Sequence, residues 1–249
     1  MSLFHLIFPY LVFIVFAGIA VYVQNLTGFA LALVLLSLVG STHIVPLPDA
    51  INAVSIISVV NATFFLYKRK AFKLQPGYKP AVLASFPGYI VGMGLLVMLA
   101  AGAFDTLRFL LGLSIIVCAL LLWRSGKPYE EPSSPRTFAI MGGVSGILGG
   151  LFSSPGPPLV YVTYRQPWPL RAIQESLIFS FGVGTAFRLI VLGSTGQISM
   201  QSVLLGVTSL PVAFLVTAWA ANRPPPCSRK ILQHVVCTLL IVSGAGMLV

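Results

Sequence analysis

Small, hydroxyl-bearing and helix-breaking residues interrupt the apolar sequence at two places. The second interruption, residues 153–158, is Ser-Ser-Pro-Gly-Pro-Pro and follows a glycine-rich run at 142–150. The first, residues 24–28, is Gln-Asn-Leu-Thr-Gly. Each proline removes a backbone donor and restricts the residue before it, so a helix cannot continue through the second interruption. Irregular backbone at membrane depth is tolerated where protein buries it or where it lines a wet cavity, so each interruption is a candidate substrate site.

A helix that restarts after such a break is suited to binding an anion. Its first N–H groups are unpaired and lie at the positive end of the helix dipole. Two such ends that met near the middle of a membrane would bind a negative ligand without any charged side chain. Side-chain donors and glycines that allow close approach would complete the site. The candidate substrate-binding residues at the breaks are Asn25, Thr27, Gly28, Ser153, Ser154 and Gly156.

Glycines in apolar helices also let two helices pack closely. The spacing of four between Gly142, Gly146 and Gly150 favours packing for that face. Such a face would suit helix contacts inside one chain or the contact surface of a homodimer. For Gly28 and Gly156, which lie at the breaks themselves, ligand binding is the preferred interpretation.

Arg188 is the only Lys or Arg well inside an apolar segment. An ionisable residue at membrane depth is a functional candidate by default, and a cation suits an anionic ligand. The alternative is an anchor, because Arg188 lies near Gly193 at the end of its segment and a long side chain can reach the outer surface. Asn61, a polar residue in the middle of its segment, is a further candidate, although such amides often bond only to neighbouring helices.

Acidic groups are scarce, with five Asp and Glu residues in the chain. Glu175 lies near the start of a span, four residues after Arg171, which favours an ion pair over a role in proton coupling. The three cysteines have no metal-site spacing, and no acid cluster inside the spans would hold a cation. We expect no metal and no cofactor. The spans also contain no pair of nucleophile and base, which argues against an enzyme.

The composition indicates an integral membrane protein. Of 249 residues, 57% are hydrophobic and 8% are charged, whereas about a quarter of a soluble domain is charged. We therefore predict an all-α, polytopic transmembrane bundle. The net charge of +10 does not indicate nucleic-acid binding. The basic residues lie in short loops between apolar spans, where membrane orientation requires them.

The apolar segments fall into two groups of four. The hydrophilic residues 124–136 form a cytoplasmic linker between a first membrane repeat at 1–123 and a second at 137–249. The first segment of each group is too long for one simple helix and contains one of the two interruptions. The eight segments are at about 3–40, 50–67, 80–101, 106–123, 137–164, 172–192, 200–221 and 229–248.

The basic residues also predict orientation. Basic loops follow the second, fourth, fifth and seventh segments, whereas the loops at 41–49 and 193–199 carry no Lys or Arg. All four basic loops face the cytoplasm only if the first and fifth segments each enter and return on the same side. The halves would then be inverted repeats, each with a broken or re-entrant first segment. Long tilted helices at 3–40 and 137–164 are the alternative.

Two stretches resemble signatures of the sulfite exporter TauE/SafE family. Residues 143–152, followed by Pro-Gly-Pro-Pro at 155–158, resemble its second-half signature, and residues 24–29 resemble its first-half signature. The resemblance extends over essentially the whole chain. It implies a multi-pass protein of the bacterial inner membrane that moves sulfite, organosulfonates or related sulfur-containing anions. The chain departs from the family pattern at 153–155 and at 25–26, where the family often has glycine.

We predict a secondary transporter, an exporter of small sulfur-containing anions, that works by alternating access around a central site at the two breaks. An anion channel and a membrane scaffold subunit are the alternatives. Flux that saturates and counterflows would indicate a carrier, and binding of the anion by the purified chain would exclude a scaffold. The expected partners are a small anionic substrate, the lipid bilayer and, in a homodimer, a second copy of the chain.

Overall fold

A computed structural model describes residues 3–69, 73–75, 77–102, 104–123, 128–154 and 156–220, with isolated positions after 236. All regular secondary structure in these ranges is helical, which confirms the predicted all-α class. The helices are α1 (Leu3–Thr27), α2 (Leu31–Thr42), α3 (Leu47–Arg69), α4 (Lys79–Gly102), α5 (Phe104–Trp123), α6 (Pro135–Phe152), α7 (Gly156–Tyr164), α8 (Leu170–Ser194) and α9 (Met200–Ala220). By length and composition, α1, α3, α4, α8 and α9 can cross a membrane.

Each of the two longest apolar segments comprises two helices. Between α1 and α2, Gly28 and Ala30 have positive φ angles of 87° and 75°. Ser153, which ends α6, has a φ of 56°. A left-handed residue ends a helix because the chain can no longer continue the hydrogen-bond ladder. The chain is thus interrupted at both places that the sequence indicated.

The structure describes only part of the last predicted segment and part of the predicted linker. The segment predicted at 229–248 lies outside the described residues, apart from isolated positions. The predicted linker at 124–136 is described from residue 128, and α6 already begins within it at Pro135. Ser134 caps α6, because its hydroxyl accepts the Thr137 N–H at 3.3 Å. The division into two repeats remains a prediction.

The backbones of α4 and α6 approach each other closely at three glycines of α6. A Cβ added to Gly142 would lie 2.2 Å from the carbonyl oxygen of Ala81, and one added to Gly146 would lie 2.2 Å from that of Ser85. A Cβ added to Gly150 would lie 2.4 Å from the carbonyl oxygen of Tyr89, which is also backbone of α4. Small residues permit this approach of two membrane helices. The face spaced by four therefore packs inside the chain and is not available to a second copy.

We expect Gly146→Ala to lower the melting temperature of the detergent-purified protein. Its new Cβ overlaps backbone, so α4 and α6 must separate, and overpacking of this kind costs about 1–3 kcal/mol. Gly143→Ala is the matched control, because its Cβ would lie 3.5 Å from the Ala84 carbonyl, an ordinary contact. Equal melting temperatures for the two variants would contradict the packing described here.

Hydrogen bonds join helix ends that are distant in sequence. The Asp49 carboxylate, at the start of α3, accepts from Ser199 and, at 3.0 Å, from Ser202, at the start of α9. Gln166, just after α7, donates to the Ser133 hydroxyl at 2.8 Å and accepts from the Ser133 N–H at 2.9 Å, just before α6. The starts of α3 and α9 therefore lie together, and the start of α6 lies beside the end of α7.

Candidate functional site

Arg188 on α8 is completely buried inside the bundle, with an exposed fraction of 0%. Its Nε donates to the Gly150 carbonyl at 3.1 Å, and its Nη1 donates to Ser55 Oγ at 2.7 Å. Among the described residues no carboxylate pairs with this cation, and Nη2 has no hydrogen-bond partner. The alternative that Arg188 anchors its helix at the outer surface is therefore wrong.

Ser153 reaches the same place from the break between α6 and α7. Its Oγ lies 2.7 Å from Ser55 Oγ, the atom that accepts from Arg188. One hydroxyl on α3 thus connects α8 with the break. Ser154 and Gly156 are buried at this break, and a Cβ on Gly156 would lie 3.5 Å from Ser154 Oγ. Four of the predicted site residues, Arg188, Ser153, Ser154 and Gly156, are therefore brought to one region.

The first turn of α7 offers few amides to a ligand. Pro157 and Pro158 have no N–H, and the Leu159 N–H donates to Ser145 Oγ at 2.8 Å. Of the first four residues of α7, Gly156 alone could still offer an N–H. The sequence predicted a helix end rich in unpaired amides. Pro157 and Pro158 remove two of these four donors and the bond to Ser145 occupies a third, so this helix end has few amides left with which to bind an anion.

Asn25 and Asn61 form a closed set of hydrogen bonds. The Asn61 amide nitrogen donates to Gln24 Oε1 at 2.8 Å and to Asn25 Oδ1 at 3.2 Å, and Thr217 donates to Asn61 Oδ1. The Asn25 amide nitrogen donates to Thr217 Oγ1 at 2.9 Å. The structure brings these two predicted residues together and satisfies both amides within the chain. This arrangement matches the alternative in which such amides bond to neighbouring helices.

The first break, which carries Thr27 and Gly28, packs on the start of α8. A Cβ on Gly28 would lie 2.6 Å from Gln174 Cα. The end of α1 is closed by side chains, because Gln174 donates to the Leu26 carbonyl and Tyr164 donates to the Thr27 carbonyl. These bonds satisfy two of the carbonyls that a helix end leaves unpaired.

The two breaks contact α8 at different positions. The first break contacts α8 at Gln174, whereas the second is connected to α8 at Arg188. These residues are fourteen positions apart, which corresponds to about 21 Å along a helix. The convergence of the two helix ends on one site stays a prediction. The fold places the contacts of the two breaks near opposite ends of α8.

Ser55 belongs to the candidate site around Arg188, although the sequence does not single it out. It lies in an apolar part of α3 and is fully buried. Serines in apolar helices commonly bond to their own helix, and Ser55 also donates to the Ile51 carbonyl at 3.3 Å. Nothing in the sequence distinguishes it from such a residue.

We expect Ser55→Ala to misplace Arg188 and to weaken anion binding about tenfold, because a hydrogen bond to a charged group contributes about 1.5–3 kcal/mol. Titration calorimetry on purified protein measures the affinity. Ser37→Ala is the control: Ser37 is equally buried, and its hydroxyl donates to a carbonyl of its own helix, that of Val34. A loss of affinity in both variants would contradict a specific role for Ser55.

Two other features are assigned to structural roles. Glu175 pairs with Arg171, with 2.8 Å between Oε1 and Nε, which is the ion pair that the sequence favoured. A cavity of about 280 Å³ lies at the turn between α2 and α3, lined by Val39–Gly40 and His43–Leu47. Its lining contains no buried cation, so it is a poorer anion site than the region around Arg188.

The described part of the chain is all-helical, and five of its helices are long and apolar enough to cross a membrane, which is the architecture of a polytopic membrane protein. The sequence profile of the sulfite exporter TauE/SafE family matches residues 11–247, and the chain therefore belongs to that family. This confirms the resemblance found in the sequence and makes the chain a membrane transporter and not an enzyme.

A similar protein is the "Probable sulfite/organosulfonate exporter TauE" of Cupriavidus necator. It is 27% identical over 231 residues, which cover 93% of this chain and 90% of the relative. No solved structure matches the chain.

Proposed function

We propose that this transporter exports small sulfur-containing oxyanions, such as sulfite or organosulfonates, and that the Arg188 guanidinium binds them. The observation that carries the proposal is a fully buried guanidinium that has no carboxylate partner in the described part of the chain. The relative in Cupriavidus necator is named as a probable exporter of sulfite and organosulfonates, which supports the same substrate class here.

The energetics of Arg188 favour an anionic ligand. Taking an ion out of water costs several kcal/mol even after the protein relaxes, and a partner of opposite charge offsets that cost. The hydroxyls of Ser55 and Ser153 lie beside the cation but carry no charge. A sulfonate or sulfite at Nη2 would supply the missing charge and accept a hydrogen bond. A neutral solute could accept the hydrogen bond but would not supply the negative charge, so the site favours anions.

The contacts of the two breaks support inverted repeats with re-entrant first segments. The break of the first half, at Gly28, packs on α8 of the second half. The break of the second half, at Ser153, bonds to α3 of the first half. This reciprocal arrangement is expected when two similar halves are related by a two-fold axis. The bonds between Ser133 and Gln166 fit a segment that enters and leaves on one side.

We place the two gates of an alternating-access cycle at the two breaks. The first break lies beside a basic cluster, in which Arg171 donates to the Arg69 carbonyl at 3.1 Å and Arg69 donates to Gln174 at 3.5 Å. Lys and Arg concentrate on the cytoplasmic side, which assigns this break to the inner gate. The second break, with Ser153, then forms the outer gate. Arg188, Ser55 and Ser153 are all buried, as in an occluded state closed to both sides.

The outer surface of the bundle supports a place in the lipid of the inner membrane. Leu83 and Met98 on α4 are 66% and 73% exposed, and Leu215 on α9 is 71% exposed. Apolar side chains of this size are unfavourable in water when they cover a face. A homodimer remains a prediction, and it would use a face other than Gly142, Gly146 and Gly150.

A ligand screen of the purified protein tests the proposal. Sulfite, thiosulfate, taurine and sulfoacetate are compared with carboxylates in a thermal-shift assay, because a ligand bound only by the folded state raises its apparent stability. We expect the sulfur oxyanions to raise the melting temperature in a saturable way. In proteoliposomes, saturable counterflow of the same anions is expected for a carrier. No shift with any sulfur oxyanion would contradict the proposed function.

A further inference from the structure

Tyr89 on α4 carries another of the buried donors that have no hydrogen-bond partner among the described residues. Its side chain is 0% exposed, and its hydroxyl has no partner among the described residues. Leaving a polar group buried and unpaired costs about 1–3 kcal/mol. Phenylalanine would avoid that cost at this position, so the hydroxyl needs a reason other than packing.

The Tyr89 ring is held tightly between α6 and α8. A Cβ added to Gly149 on α6 would lie 2.7 Å from Tyr89 Oη, and one added to Gly184 on α8 would lie 2.3 Å from it. Only glycine leaves room for the hydroxyl at either position. The two glycines therefore define where Oη lies, and the ring has little freedom to turn away.

The hydroxyl and the guanidinium of Arg188 converge on the same part of the bundle. Gly184 lies one helical turn before Arg188 on α8. Gly149 precedes Gly150, whose carbonyl accepts from Arg188 Nε at 3.1 Å. Two of the buried donors that have no partner among the described residues, Tyr89 Oη and Arg188 Nη2, thus lie at one crossing of α4, α6 and α8.

We propose that Tyr89 is a specificity-determining residue, whose hydroxyl donates to a second oxygen of the substrate while Arg188 Nη2 binds the first. This inference rests on the proposed function and deepens it. A sulfonate or sulfite carries several acceptor oxygens and satisfies both donors at once. A halide is a single sphere and gains mainly from the charge of Arg188. The pair therefore selects oxyanions over halides of the same charge.

The test is Tyr89→Phe, which removes one oxygen and keeps the ring between Gly149 and Gly184. We expect the ligand-free variant to melt at or above the temperature of the wild type, because an unpaired hydroxyl has been removed. We expect its affinity for sulfite and for taurine to fall about 10- to 100-fold, since the lost bond joins a donor to a charged acceptor. Its affinity for iodide should remain unchanged.

Three results would overturn the inference. Unchanged oxyanion affinity in Tyr89→Phe would leave the hydroxyl without a role. An equal loss for oxyanions and iodide, or a variant that melts lower and binds both weakly, would assign Tyr89 to packing. Arg188→Gln, measured in parallel, separates the two proposals. Suppose that the wild type and Tyr89→Phe bind sulfur oxyanions equally well and Arg188→Gln does not bind them. The proposed function then stands, and only the inference about Tyr89 fails.

Discussion

Arg188→Gln is expected to abolish transport of sulfur oxyanions while leaving a protein at least as stable as the wild type. In the proposed function the buried guanidinium is the positive charge that binds the substrate, and removing one member of a buried, hydrogen-bonded charge pair costs about 2–5 kcal/mol of binding. Uptake of radiolabelled sulfite by proteoliposomes should therefore fall by about 100-fold or more. The ligand-free variant is spared an unpaired buried charge, so its melting temperature should stay constant or rise.

Arg188→Lys is the matched control that separates the contribution of the positive charge from that of the hydrogen-bond geometry. Lysine keeps a cation but cannot bond to the Gly150 carbonyl and to Ser55 in the way that Nε and Nη1 do. We expect partial binding and slow transport from this variant. Transport by Arg188→Gln at the wild-type rate would remove Arg188 from the binding site. A strongly lowered melting temperature in Arg188→Gln would indicate that the side chain is mainly structural.

The second large effect is expected at the first break, where Gly28→Ala should destabilise the protein and stop transport. Gly28 has a φ of 87°, which an L-residue adopts only at a cost of about 1–2 kcal/mol. Its new Cβ would also lie 2.6 Å from Gln174 Cα, which is backbone and cannot turn aside. With overpacking included, the total cost is about 2–5 kcal/mol. Thermal unfolding and proteoliposome uptake measure the two effects.

Gly156→Ala at the other break is the control for Gly28→Ala. Among the described residues, the atom its Cβ would meet is Ser154 Oγ at 3.5 Å, which is an ordinary contact. We expect this variant to fold with an almost unchanged melting temperature. Gly156→Leu should stop transport without unfolding the protein, because a bulky side chain at the break beside Ser153 would block the proposed outer gate. Equal stability of Gly28→Ala and the wild type would contradict the packing of the first break on α8.

The sequence was sufficient for the features that depend on local chemistry. Helix breakers inside apolar segments predicted the interruptions near Gly28 and Ser153, because proline and glycine act on the backbone wherever the chain lies. A lone arginine in an apolar segment identified Arg188 for a similar reason, since a buried cation is costly in any fold. The spacing of Gly142, Gly146 and Gly150 indicated close packing.

The features that the sequence could not supply depend on the tertiary arrangement. Ser55 and Tyr89 are ordinary residues of apolar helices until α3, α4, α6 and α8 come together around Arg188. The separation of the two breaks along α8 has the same origin, because the path of each half determines which part of α8 its break contacts. The loss of amide donors at α7 was visible in Pro157 and Pro158, but Ser145, which binds the Leu159 N–H, lies fourteen residues away from it.

The most direct test of a buried arginine that binds the substrate is equilibrium binding of radiolabelled sulfite to the purified protein, competed with taurine and with iodide. If Arg188 binds the substrate, binding is saturable near one anion per chain, is displaced by taurine at much lower concentration than by iodide, and is absent from Arg188→Gln. The same saturable binding in the wild type and in Arg188→Gln would contradict this role of Arg188.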